Sequence, residues 1–92
     1  MKIEQKPSFK KVYKKLYKNQ LEKVNEAIRA IVDNPLLGKE KQGDLSGVFV
    51  YKFDCINQQY LLAYRFSDAG LELIKIDAHQ NFYRDLKNQI KS

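Results

Sequence analysis

The sequence is poor in residues that build covalent or metal-bonded scaffolds. Cys55 is its only cysteine and His79 its only histidine, which excludes an internal disulfide and a credible zinc site. At 92 residues there is room for one domain, residues 1–92, with a single two-layer core, and none for a separate cofactor domain. No metal or cofactor is expected, and any active site must be shallow. Long apolar runs are also missing, and the first residues read Met1-Lys-Ile-Glu-Gln-Lys-Pro7 with no signal-peptide core. A soluble, unexported, cytoplasmic protein with no membrane partner is therefore expected. Acidic residues are outnumbered 17 to 11 by Lys and Arg, a surplus of +6, which by itself favours an acidic partner without choosing among nucleic acid, an acidic protein and an anionic membrane.

The two prolines punctuate the first half. Lys2 to Lys6 alternates weakly, as a short opening strand does, and Pro7 ends it. From Ser8, a candidate N-cap, Phe9, Val12, Tyr13 and Leu16 fall at helical spacing, with Lys10, Lys11, Lys14 and Lys15 on the remaining surface. Asn19-Gln-Leu-Glu22 has the form of a capping box, and Leu21, Val24, Ile28, Ile31 and Val32 make the apolar stripe of a second helix that Asn34-Pro35 stops. A glycine- and lysine-rich loop follows, from Leu36 to Gly47.

After Gly47 the period becomes two. Phe49, Tyr51 and Phe53 share one face and Val50, Lys52 and Asp54 the other. In the next run Tyr60, Leu62, Tyr64 and Phe66 are core, with Leu61, Ala63 and Arg65 opposite. In Leu71 to Ala78, Ile74 and Ile76 are taken as core, which leaves Leu73, Lys75 and His79 on the opposite side. Turns at Ile56-Asn-Gln58 and Ser67-Asp-Ala-Gly70 make these strands an antiparallel meander. Asn81 is placed to cap a last helix, Phe82 to Ile90. The expected fold is α+β: an antiparallel sheet of about four strands, the N-terminal helical hairpin packed on one face, and a short C-terminal helix.

With that parity, Lys52, Arg65, Lys75 and His79 project from the face the hairpin does not cover. Cleaving RNA by internal transfer needs a base for the 2′-hydroxyl, an acid for the leaving oxygen and cations around the transition state, and this inventory can supply all three. Tyr83 and Arg84 follow His79 by about one helical turn, placing a ring to stack a base and a guanidinium to hold phosphate. Phe82 is the better anchor of that helix, which frees Tyr83. Each residue also has a plainer reading. A lone histidine at a strand end is usually a surface group, Lys52 and Lys75 are ordinary solvated charges, and Arg84 has Asp77 and Asp85 as ion-pair candidates. Lys10, Lys11 and Lys14 suit a phosphate-rich surface or simply a solvated helix face. Leu61, Ala63 and Leu73 make the open face partly apolar, so a partner protein is expected to cover it.

The order of these segments resembles the RelE/ParE superfamily of bacterial type II toxins. The resemblance covers nearly the whole chain: the hairpin ending in Asn34-Pro35, then Gly43-Asp-Leu-Ser-Gly47, Val50-Tyr-Lys-Phe53, Tyr60-Leu-Leu-Ala-Tyr-Arg65 and His79-Gln-Asn-Phe-Tyr-Arg-Asp-Leu-Lys87. It implies a toxin neutralised by a cognate antitoxin, often an mRNA endoribonuclease acting in the ribosomal A site, whereas the ParE branch poisons DNA gyrase. A binding protein of the same fold without toxicity is a further alternative. It also implies higher-order toxin-antitoxin complexes that bind operator DNA through the antitoxin. Lys52 matches a lysine of the cationic site of ribosome-dependent members. His79 and Tyr83 match the histidine and aromatic pair of the YafQ-like branch, where the histidine is catalytic, and Arg65 lies on the strand that carries a phosphate-binding arginine. The chain departs from the pattern at Leu61 and Asp54, where RelE-type members carry an arginine and a second lysine, so positive charge is lost there.

Overall fold

The computed structural model describes residues 2–78 and 82–91. The chain runs β1 (Ile3–Gln5), α1 (Pro7–Tyr13), α2 (Lys18–Asp33), β2 (Lys39–Glu40), a 3-10 turn (Gly43–Leu45), β3 (Phe49–Asp54), β4 (Gln59–Ser67), β5 (Gly70–Asp77) and α3 (Phe82–Lys91). The sheet order is β1-β5-β4-β3-β2. The α+β class is as expected, but there are five strands rather than about four and the sheet is mixed. β1 pairs parallel to β5, Ile3 with Leu71 and Gln5 with Leu73, and β2 adds two residues to the other edge. β1 is the opening strand expected at Lys2 to Lys6; only β2 is extra, and its two residues are too few for period two to reveal.

The helix starts also differ. Proline fits the first helical position, where its missing N–H is not needed, so α1 begins at Pro7 with Lys6, not Ser8, as N-cap. α2 begins at Lys18, and the expected box at Asn19 is displaced: Gln20 Oε1 accepts the Tyr17 backbone N–H at 2.9 Å.

α1 and α2 bury Phe9, Val24 and Ile31 against Tyr60, Leu62, Tyr64, Leu71, Leu73 and Ile76 of the sheet. The Tyr64 hydroxyl donates to Pro35 O at 2.7 Å and accepts from Gly38 N–H at 2.8 Å. This clasp ties the end of α2 to the middle of β4 and leaves no room at residue 38, where a Cβ would sit 2.6 Å from the hydroxyl oxygen.

The faces of β3 and β4 follow the expected parity, but β5 does not. Tyr64 pairs with Leu73 and Ala63 with Lys75, so Ile74 is an extra residue, a β-bulge that shifts the alternation by one. Leu73, expected on the open side, lies with Leu71 and Ile76 in the hairpin core, and Ile74 joins the opposite cluster. A bulge cannot be read from alternation because it interrupts it. The opposite face is not left for a partner alone: α3 lies on it, with Phe82 and Leu86 fully buried against Leu45, Val48, Val50, Ala63 and Ile74.

Candidate functional site

The site follows from rows of side chains crossing the α3 face, each row fixed by strand register. In the row nearest the β3–β4 turn, Asp54 pairs with Gln59. The next holds Lys52, Leu61 and Asp77. The third holds Val50, Ala63 and Lys75, with Ile74 bulged beside it, and the fourth holds Arg65, Glu72 and Glu4. Leu61 and Arg65 are four residues apart on β4, roughly 13 Å at strand rise.

α3 occupies the third and fourth rows. Gln89 Nε2 donates to the Ile74 carbonyl at 3.3 Å, and Ile90 shares a cleft of about 230 Å³ with Arg65, Glu72 and Lys6. The Lys52 end stays open: Lys52 and Asp54 are exposed, Leu61 and Asp77 half-buried. β5 ends in this row at Asp77, whose Oδ1 accepts the Ala78 N–H at 2.8 Å.

Arg65 is on the expected face but engaged elsewhere. Its Nη1 lies 3.6 Å from Glu72, and Lys6 bridges Glu72 at 3.5 Å and Glu4 at 3.1 Å. The Lys6 hydrogen bond and charge hold the Glu4 carboxyl below its usual range, and Glu4 and Glu72 raise the Lys6 ammonium. The structure therefore separates Arg65 from Lys52, at opposite ends of one face. Lys75 is half-buried one row from Lys52.

Tyr83 is half-buried at the start of α3, against the anchor Phe82, with ring centroids 5.5 Å apart at 88°. Over its ring sits Lys41 Nζ, 4.9 Å from the centroid. Arg84 is exposed. Lys10, Lys11 and Lys14 are exposed on α1, in the hairpin layer, where with Pro7 and Lys15 they line a surface groove. His79 lies outside the described residues. Among those residues no group of three or more His, Cys, Asp or Glu is placed to hold a metal ion, and no helix is long and apolar enough to cross a membrane.

The sequence reading missed Glu72 and Lys41. The first was legible: a turn that pairs Ser67 with Gly70 puts Arg65 opposite Glu72 by counting. Lys41 carried no signal, since it lies in an aperiodic loop and meets Tyr83 only through tertiary packing.

The fold has solved counterparts. The chain matches a chain of the intact RelBE toxin-antitoxin complex from E. coli with a TM-score of 0.67 at 15% identity, over 85% of this chain and 95% of that one. For the RelBE2 complex of Mycobacterium tuberculosis the values are 0.69 and 23%, over 84% and 95%. For the YoeB-YefM complex of Staphylococcus aureus they are 0.65 and 23%, over 86% and 97%. At these identities the likeness is one of fold. No curated protein matches the chain in sequence. The family profile described as ParE-like toxin of type II bacterial toxin-antitoxin system matches residues 3–87. With that match running almost end to end, the chain belongs to the ParE-like toxins of type II toxin-antitoxin systems.

Proposed function

We propose that the protein is a ribosome-dependent mRNA endoribonuclease, metal-independent, that inhibits translation. The observation carrying this reading is the row of Lys52, Leu61 and Asp77, left open by α3 at the end of the sheet from which β5 leads to His79. His79 exchanges the protons of the 2′-hydroxyl and the leaving oxygen, and Lys52 stabilises charge at the scissile phosphate. Lys75 and Arg84 contact flanking phosphates, Arg65 does so on release from Glu72, and Tyr83 orients a base. Lys10, Lys11 and Lys14 face a second phosphate-rich surface, as on ribosomal RNA. The ribosome holds the mRNA in place, so the protein needs no deep pocket. Toe-printing in reconstituted translation tests the mechanism: the parent should cut A-site mRNA, and a His79→Ala protein that cuts equally well would sink it.

A gyrase-directed toxin that acts by binding is the second reading. It is favoured by the ParE-like family match and by Asp54, Leu61 and the engaged Arg65, which thin the positive charge of a nuclease site. Loss of supercoiling by purified gyrase at excess toxin, with mRNA left intact, would establish it instead.

Under either reading the protein is neutralised by a cognate antitoxin, a complex of the two binding operator DNA through the antitoxin. The three solved relatives are toxin-antitoxin complexes, and the +6 charge suits an acidic partner. Copurification of an acidic protein encoded by the adjacent gene tests this, and high-level expression of the chain alone without harm would count against it.

A further inference from the structure

Lys41 has no role in the site as described, yet the structure sets it on the same sheet face. The antiparallel register of Lys39 with Val50 and Glu40 with Phe49 continues to Lys41 opposite Val48, where the Lys41 N–H donates to the Val48 carbonyl at 2.9 Å. Its ammonium stands 4.9 Å over the Tyr83 ring, and Phe82 meets that ring at 88°. A ring so flanked is not a free platform: a base can stack on the covered face only by displacing the ammonium.

One account of this contact is a clip that fastens the loop to α3. The loop is already fastened. Leu45 and Val48, 3% and 0% exposed, pack against Phe82 and Leu86. Backbone bonds from Ser46 N–H to Gly43 O and from Val48 N–H to Leu45 O close the loop, at 3.0 and 2.9 Å. Gly43 and Gly47, at φ +64° and +85° with open space around them, supply the two left-handed turns. Apolar anchors and backbone geometry account for the loop's position, and the half-buried charge is surplus to it.

A cation held over a phenol ring on a fastened loop is a prepared phosphate receiver. The fastened loop keeps the ammonium within side-chain reach of a phosphate beside the ring, and the ring beneath becomes available once the ammonium turns to that phosphate. We infer that Lys41 binds an RNA backbone phosphate and that a nucleotide is received by the Lys41–Tyr83 pair, the ammonium exchanging the ring for the phosphate as the base takes its place. This rests on the ribonuclease reading above. Lys41 lies opposite Val48, four residues from Lys52 along the same strand direction, or roughly 13 Å. The two lysines therefore serve different phosphates of one strand.

The test is a nuclear magnetic resonance titration of the full chain with a single-stranded hexauridylate. In the free protein the Lys41 ε-protons should resonate upfield, shifted by the Tyr83 ring current, and should return toward ordinary lysine positions as oligonucleotide is added. Lys41→Met, which keeps the stem and removes the charge, should weaken binding several-fold. It should lower the slope of log K against log salt by about 0.7, the loss of one single-strand phosphate contact. The thermal midpoint should not change, and Lys41→Arg should restore both affinity and slope. The inference is overturned if the Lys41 protons stay shifted throughout the titration, or if Lys41→Met binds with parental affinity and slope. A parent that cuts A-site mRNA while Lys41→Met behaves like it sinks the inference alone. A parent that does not cut sinks the ribonuclease reading whatever Lys41 does.

Discussion

The sheet face under α1 and α2 and the face under α3 bury side chains of different kinds, and the difference separates stability from the proposed activity. The hairpin face is lined with large residues, Phe9, Leu62, Tyr64, Leu71 and Ile76, and among the described residues its buried polar atoms are paired. At about 1.5–3 kcal/mol for each large apolar side chain removed from water, this face supplies most of the driving force for folding. The α3 face has smaller residues beneath the helix, Val50 and Ala63, and beyond the helix it gives way to Lys52, Asp54 and Asp77. Charges tolerated there would be costly on the other face.

Unequal cost is the first consequence. Leu62→Ala should cost about 2–5 kcal/mol and lower the global denaturant midpoint. Leu86→Ala should cost no more than about 2 kcal/mol, because α3 can detach while the sheet and hairpin stay folded. Hydrogen exchange would show it, with α3 amides exchanging faster than those of β4 and β5. Equal costs and uniform exchange would break the comparison. Under the proposed ribonuclease reading activity should follow the opposite pattern: Lys52→Ala should slow mRNA cleavage about 10²-fold while shifting stability by less than about 0.5 kcal/mol, measured by toe-printing and chemical denaturation.

Tyr64→Phe sharpens the same contrast from the stable side. It strands the buried Gly38 N–H and the Pro35 carbonyl, and should cost about 1–3 kcal/mol in denaturation with cleavage retained. At the β3–β4 turn, Ile56 and Asn57 have φ +49° and +65°, and a branched side chain is disfavoured there. Ile56→Asn should therefore stabilise the protein by about 1 kcal/mol in thermal denaturation. The smallest effect is alkaline. Burial raises the Cys55 thiol and the Tyr60 and Tyr64 phenols, so the folded chain keeps these protons to higher pH than the unfolded chain does. Their contribution is complete below the ordinary thiol and phenol range and is lost as pH rises through the raised values. The thermal midpoint should be level through neutrality and decline above about pH 9.

Much of the scaffold was legible because its signals are local. Period two assigned the faces of β3 and β4, Pro35 ended α2, and Phe82 was identified as the anchor of α3. The site was less legible. Lys52 could be placed on its face from Phe49, Tyr51 and Phe53 alone, but its distance from Arg65 depends on how far along β4 each lies, and the engagement of Arg65 depends on Glu72 across the Ser67–Gly70 turn. Tyr83 could be separated from Phe82 by helical geometry, but nothing near it in the chain announces Lys41.

What the sequence determined by itself is the order of the elements other than β2 and the 3-10 turn, the faces of β3 and β4 and the excess of positive charge, because each depends on residues within a few positions of one another. The tertiary structure decided the rest. β1 lies parallel to β5 because Gly70, at φ +142°, lets the Lys2 carbonyl accept the Leu71 N–H at 2.8 Å where any Cβ would collide with it. The bulge at Ile74 returns Ile76 to the core and leaves Lys75 and Asp77 on the α3 face. Both outcomes are settled by contacts between segments far apart in the chain, and only packing selects among the partners that local pattern leaves equally acceptable.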